Sequence, residues 1–310
     1  MALKNSYIDF VFTKNNVNLY IYRLDKLQPY IQGNKYFKLK YNLIKAKEKH
    51  LPVVTIGGAF SNHIHATALA CWQNNIPCYG IIKGSNFKVQ SPTLSFVEKL
   101  GMKLIFIPRE DYKILRNITS KELFDSIATK FTELPENYFF VPEGGTNELG
   151  LKGATEILNN IEPTFDYFFC PVGSGGTISG IINSLKGDKK VIGIACAKDN
   201  SLTEKIKLLT NNLQNWEINY NYTFKGFGKW NTELIAFINQ FYTDYNIALE
   251  PIYTGKMMYA ITKMIANNYF EKPCNILAIH TGGLQGIEGF NLVNKGILKI
   301  PGYSFDDLSI

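Results

Sequence analysis

The sequence predicts an α/β protein with parallel sheets flanked by helices, and three observations carry that prediction. Short apolar segments of strand length alternate with segments of helical period along most of the 310 residues. The strand-like segments are apolar throughout instead of alternating, as parallel strands covered on both faces are. Several of them run into glycine, with a serine or threonine close behind to start a helix.

Taken in order, residues 36–49 place Phe37, Leu39, Leu43, Ile44 and Ala46 on a rough 3.6-residue period and read as a helix. The β-branched run 51–58 ends in Gly57-Gly58, and Ser61 caps a helix reaching about residue 75. Strand 77–83, helix 92–100 and strand 103–107 follow, then helix 121–131, strand 138–141 and helix 150–160. Strand 165–171, helix 177–185 and strand 191–196 continue the alternation. Residues 214–230 interrupt it as an aromatic, Asn-rich loop. A helix at 232–242, a strand at 276–279 and a glycine-interrupted helical segment after Leu284 complete the chain.

Composition narrows the class. Apolar content of 45% and charged content of 19% are those of a folded globular protein. No apolar run approaches the ~20 residues that span a bilayer, so no membrane partner is expected. The opening Met-Ala-Leu-Lys-Asn-Ser-Tyr lacks the apolar core and cleavage site of a signal peptide, which makes a cytoplasmic location the expectation. Five scattered cysteines, Cys71, Cys78, Cys170, Cys196 and Cys274, form no disulfide framework and read as buried thiols. The net charge of +7 comes from lysines interleaved with Glu and Asn, as in Lys45-Ala46-Lys47-Glu48-Lys49, without a nucleic-acid motif. Nucleic acid is therefore not an expected partner, whereas a mildly positive field favours small anionic ligands.

The strongest chemical signal is Gly173-Ser174-Gly175-Gly176-Thr177, an apolar strand running through a Gly/Ser/Thr turn into a helix. Such a turn frees backbone N–H groups, and the helix N-terminus attracts an anion, so it reads as a phosphate cradle as well as a tight turn. The dinucleotide fingerprint fails because Ile178 stands where the third glycine belongs, and the P-loop fails because Gly180 leads into Ile181-Ile182. A single phosphate fits better. Gly57-Gly58-Ala59-Phe60-Ser61-Asn62-His63 repeats the strand–glycine–helix arrangement and could aim Ser61 and Asn62 at a carboxylate, or simply cap the helix. His63 and His65, two apart on a helix, point in different directions and have no carboxylate to complete a metal set, so no metal is expected. Two late turns, Tyr253-Thr254-Gly255-Lys256 and His280-Thr281-Gly282-Gly283, again put hydroxyls beside glycine. Near the start, Gly33-Asn34-Lys35-Tyr36-Phe37-Lys38 offers two lysines on one helix face, and the residues alone do not choose between them. A monophosphate, a carboxylate site and a free lysine together suit pyridoxal phosphate held as a Schiff base.

These five stretches, in this order, resemble the 1-aminocyclopropane-1-carboxylate deaminase and D-cysteine desulfhydrase family, and the resemblance runs from about residue 20 to 295. It implies the two-domain tryptophan-synthase-β-like fold, type II among pyridoxal-phosphate enzymes. Residues 1–39 with 138–310 would form the larger, cofactor-binding domain, and 40–137 the smaller α/β domain. It implies that Lys35 carries the cofactor, that Lys38 and the Gly173–Thr177 loop hold its phosphate, and that Asn62 bonds its phenolic oxygen. Ser61, Asn62 and His63 would receive the substrate carboxylate. Tyr253 would lie on the ring as proton donor or nucleophile, with Thr254 and Thr281 near the ring nitrogen. The implied reaction is deamination of a small amino acid by β-elimination, D-cysteine first, with cyclopropane opening as the alternative and a homodimer as the assembly. A non-catalytic binder of an anionic metabolite is the reading from another class. Three departures separate this chain from the cyclopropane deaminases: Thr254 replaces a glutamate, Thr281 an apolar residue, and Phe227 a second tyrosine.

Overall fold

Val17, Leu19 and Ile21 alternate with less buried neighbours, and just before them Asn15-Asn16 supplies two residues at positive φ, 52° and 58°. A two-residue hairpin turn has that requirement. Across it β1 (Ile8–Lys14) and β2 (Val17–Arg23) pair antiparallel, Lys14 opposite Val17. The hairpin adds two strands ahead of the expected series. The computed structural model describes residues 7–28, 31–84, 91–129, 131–162 and 164–301. Residues 1–6, where a signal peptide was not expected, and residue 130 in the expected 121–131 helix lie outside them.

The chain continues as α1 (Asn34–Glu48), β3 (Val53–Gly57), α2 (Asn62–Gln73), β4 (Cys78–Lys83), α3 (Pro92–Lys99), β5 (Lys103–Ile107), α4 (Arg109–Leu115), α5 (Lys121–Ala128) and β6 (Phe139–Val141). Then come α6 (Glu148–Ala154), β7 (Tyr167–Val172), α7 (Gly176–Leu185), β8 (Lys190–Ala195), α8 (Leu202–Leu209) and β9 (Trp216–Asn219). The last elements are α9 (Thr232–Tyr245), α10 (Thr254–Ala266), β10 (Cys274–His280) and α11 (Gly286–Val293). Most expected elements are present within a few residues. Strand β9 corrects the expectation of a continuous loop at 214–230. Helix α10 runs on from the Tyr253–Lys256 turn, where the sequence predicts no helix of this length. It is buried on nearly every side, so it lacks the polar face that makes a helix visible in sequence.

Two sheets result. Six strands lie in the order β1-β2-β10-β7-β8-β9, parallel except for β1, and four parallel strands in the order β5-β4-β3-β6. Each sheet is covered on both faces. Leu39, Ile64, Leu69 and Val97 pack on one side of the small sheet, and Tyr112, Leu115 and Phe124 on the other. The large sheet lies between a cluster containing Ile238, Met257 and Ile261 and one containing Ile157, Ile178 and Ile181. Strand β6 pairs with β3, so residues 139–141 belong to the small sheet and not to the larger unit expected from 138 onward. No described helix is long and apolar enough to cross a membrane.

Candidate active site

The carboxyl ends of strands in both sheets converge on one cleft of about 2430 Å³. Gly58 follows β3, Pro108 follows β5, Pro142 follows β6, Gly173 follows β7, Cys196 follows β8 and Thr281 follows β10, and all six line it. Ligands in open α/β sheets bind outside such strand ends.

Helix α1 delivers the two lysines. It starts after Gly33, whose φ of 68° permits the turn and whose missing Cβ admits the Thr281 carbonyl, 1.9 Å from where that carbon would lie. The Asn34 N–H donates to the same carbonyl at 3.2 Å, joining the start of α1 to the end of β10. Lys35 is half-buried and lines the cleft; its Nζ donates to Asn34 Oδ1 at 3.2 Å. Lys38 is deeper, 1% exposed, and donates to Thr146 Oγ1 at 2.9 Å. Neither amine is paired with a carboxylate among the described residues. Burial lowers Lys35 to about 8 and Lys38 well below the ordinary range, the latter helped by the neighbouring Lys35 charge.

Facing them is the Gly173–Thr177 turn. Gly175, at φ 87°, caps α7, and a Cβ on Gly176 would sit 2.8 Å from Lys38 Nζ. Thr146 Oγ1 lies 2.7 Å from Ser174 Oγ, and Asn34 Nδ2 donates to Thr177 Oγ1 at 2.7 Å. Two buried amines without a carboxylate, a helix N-terminus and a glycine cradle leave donors in excess of acceptors. A dianionic phosphate would correct that imbalance, so these residues fit the group.

On the opposite wall, Ser61 accepts from His63 N and Ile64 N at 3.2 and 3.3 Å and caps α2, leaving its own proton to give. Asn62 Oδ1 accepts from Gln285 Nε2 at 2.7 Å, which orients its amide N–H groups away from that bond. The His63 ring is buried, with Nε2 2.8 Å from Thr55 Oγ1. Burial and the two lysines hold its pKa well below the usual value, so it is neutral. With its ring tied to Thr55 and its N–H given to the cap, His63 has only Nδ1 left for a ligand. His65 stacks on Phe96 at 4.5 Å, so the two histidines do not converge.

Tyr253 begins the fourth wall. Its ring lies over Gly173, where a Cβ would meet Cε1 at 3.0 Å, and meets Phe227 edge-on with centroids 5.9 Å apart. Burial first, then Cys196 and Glu250, raise its pKa well above the ordinary phenol value, so it remains a donor. Thr281 lines the cleft, but Thr254 does not. The Thr254 hydroxyl is spent on Glu250, accepting from its N–H at 3.0 Å and lying 3.2 Å from Oε1. The hydroxyl expected near a ring nitrogen is thus committed to Glu250 and turned away from the cleft. Glu250, which the sequence reading missed, is 2% exposed and caps α10, accepting from Ile252, Tyr253 and Thr254 N–H groups at 2.8, 2.9 and 2.6 Å. An acid just ahead of a helix start was its only signal. The outer cleft also holds Tyr112 and Arg116, bonded to Glu143 at 2.5 and 3.1 Å, with no glycine motif to announce them.

Comparison with known proteins agrees with this geometry. The chain is 29% identical over 303 residues to the bifunctional D-cysteine desulfhydrase/1-aminocyclopropane-1-carboxylate deaminase of Arabidopsis thaliana, covering 88% of this chain and 74% of that one. It is 26% identical over 296 residues to a D-cysteine desulfhydrase of Klebsiella pneumoniae, covering 88% and 89%. Its fold matches the crystal structure of an ACC deaminase homologue with a TM-score of 0.76 and 26% identity, over 93% of this chain and 92% of the other. The two-domain type II architecture expected from the sequence is thus the fold. The pyridoxal-phosphate dependent enzyme family matches residues 8–282, and this chain belongs to it, with pyridoxal phosphate as its cofactor.

Proposed function

We propose that this enzyme deaminates a small amino acid by β-elimination, with D-cysteine the favoured substrate. The observation that carries the assignment is the unbalanced pair Lys35 and Lys38 facing the Gly173–Thr177 cradle across the cleft. When bound there, pyridoxal phosphate supplies an electron sink for charge developing at the substrate Cα.

The chain's own groups divide the remaining work. Lys38, Ser174, Thr177 and the α7 N-terminus hold the phosphate. The Ser61 hydroxyl and Asn62 amide, at the start of α2, receive the substrate carboxylate. Lys35, its pKa lowered to about 8, is neutral often enough near pH 7 to take the Cα proton. Tyr253, kept protonated, gives a hydrogen bond to the departing sulfur. The C–S bond breaks as the Cα proton leaves, giving sulfide and an enamine that water converts to pyruvate and ammonia. Opening a cyclopropane has no Cα proton to remove, Phe227 brings no hydroxyl beside Tyr253, and the Tyr112 phenol in the outer cleft is given to Glu143. Elimination is therefore preferred over ring opening. A homodimer in the cytoplasm completes the proposal, and sedimentation of the purified holoenzyme tests the first part.

Ammonia release from D-cysteine, L-cysteine, D-serine and 1-aminocyclopropane-1-carboxylate, with pyruvate as the carbon product of the first three and four-carbon 2-oxobutanoate that of the last, is the direct test. D-cysteine is expected to be turned over fastest. Release from the cyclopropane acid alone would overturn the proposal, and borohydride fixation on any lysine but Lys35 would overturn the site.

A further inference from the structure

A third lysine is buried in this molecule, and the site described above does not use it. Lys256, in the first turn of α10, is fully buried. Its Nζ donates to three backbone carbonyls: Cys196 at 3.0 Å, Thr223 at 2.9 Å and Gly226 at 3.0 Å. Three acceptors match the three N–H bonds of an ammonium, whereas a neutral amine would leave one short. A small cation ringed by main-chain oxygens is how proteins hold monovalent ions, and here the ion is tethered to a helix.

The carbonyls belong to two segments that both reach the cleft. Cys196 follows β8 and lines it. Thr223 and Gly226 belong to the turn between β9 and α9, where Phe224, Lys225 and Gly226 all have positive φ, 51°, 68° and 140°. Two adjacent non-glycine residues in that region are unfavourable, so the turn needs an outside restraint. The next residue, Phe227, is 60% exposed at the cleft and rests edge-on against Tyr253.

We propose that Lys256 is a positioning residue: as a tethered cation it clamps the 223–228 turn to the end of β8, and so holds Phe227 across Tyr253 at the mouth of the cleft. The clamp sets the wall against which the substrate side chain packs, which rests on the lyase reading of that cleft. The assignment of the turn's restraint to Lys256 does not.

The turn carries its own reporter, because trypsin cuts after Lys225 and Lys229. In the holoenzyme, Lys256→Met is expected to speed cleavage there at least ten-fold. Ammonium chloride should slow it again, and tetramethylammonium chloride at the same ionic strength should not. Unchanged cleavage overturns the clamp. For turnover, Lys256→Met and Phe227→Ala should raise KM to the same extent, roughly ten-fold, with the double variant no worse than either. Effects that multiply overturn the route through Phe227. If Lys256→Met does not fold, Lys256→Gln, which keeps two donors, is read in the same assays. Amide exchange in the unaltered holoenzyme needs no substitution: the Gly226 N–H, which donates to the clamped Thr223 carbonyl at 3.0 Å, should exchange as slowly as α10, and fast exchange there overturns the proposal. Protection of the turn in an enzyme that yields no pyruvate would count for the clamp and against the lyase reading.

Discussion

Lys38 and Lys256 are both buried lysines near the starts of helices, yet their surroundings are opposite. Lys38 has one hydroxyl, Thr146 Oγ1, and a cradle of N–H groups that are themselves donors. Lys256 has three carbonyls and no unmet bond. Burying an ammonium costs free energy in either place, and only Lys256 recovers it within the protein. A buried charge with its partners supplied is architecture; one without them marks where a ligand of opposite charge belongs. Burial alone would not have told the two apart.

Substitutions should sharpen this contrast. The largest effect is expected at Lys35: Lys35→Ala should lower pyruvate release on the order of 10³-fold or more, since the proton acceptor and covalent anchor are lost together. Unaltered turnover would remove Lys35 from the mechanism. Next, Lys38→Met and Lys256→Met should move the apoprotein in opposite directions. Lys256→Met removes three charge-assisted hydrogen bonds, leaving the Thr223 and Gly226 carbonyls only their turn partners, Gly226 N–H and Lys229 N–H, and should cost about 3–5 kcal/mol in urea unfolding. Lys38→Met removes an unbalanced charge and should leave stability equal or higher, while weakening cofactor binding roughly 100-fold. A shared loss of stability would break the comparison.

A pH effect follows from the lysine at the cleft. Lys35 titrates at about 8 when folded against an ordinary 10.5, so between those values the unfolded chain binds more protons. Apoprotein stability should therefore rise with pH from about 8 to 10.5. Covalent capture of added pyridoxal phosphate should rise with pH and level off just above 8, where an exposed lysine would still be climbing. The smallest effect is expected at Thr254. Because its hydroxyl serves Glu250, Thr254→Val should cost about 1 kcal/mol of stability and leave the cofactor's absorbance unchanged. A shifted spectrum would return Thr254 to the ring.

What the sequence disclosed tracks how local each signal is. The glycine turns at 57–63 and 173–177 were legible because the strand, the turn and the helix cap are consecutive residues. Lys35 became legible only through a family resemblance, because nothing in the hexapeptide distinguishes it from Lys38. Burial depth now separates them, with Lys35 at the cleft and Lys38 beneath it. The direction of the Thr254 hydroxyl, towards Glu250, was not legible because adjacency to Tyr253 says nothing about which way a helix N-terminus turns its side chains. Tyr112 and Glu143 stayed hidden because they meet from different elements, and Glu250 because its partners are backbone N–H groups that no side-chain pattern announces. The β1–β2 hairpin did have a local sign, Asn15-Asn16 before an alternating run.

The position of β10 has a further consequence, for the order of events in the cell. It lies between β2 and β7 in the large sheet, and its last turn supplies the carbonyl that seats Gly33 and Asn34. A strand from the last fifth of the chain thus closes the gap between β2, from the first third, and β7, from the middle third. A nascent chain emerging from the ribosome can form the small sheet early, but it cannot complete the pocket until residue 281 is free to pair. Cofactor capture accordingly waits for β10, and a chain cut short before it would present Lys35 on an unanchored helix.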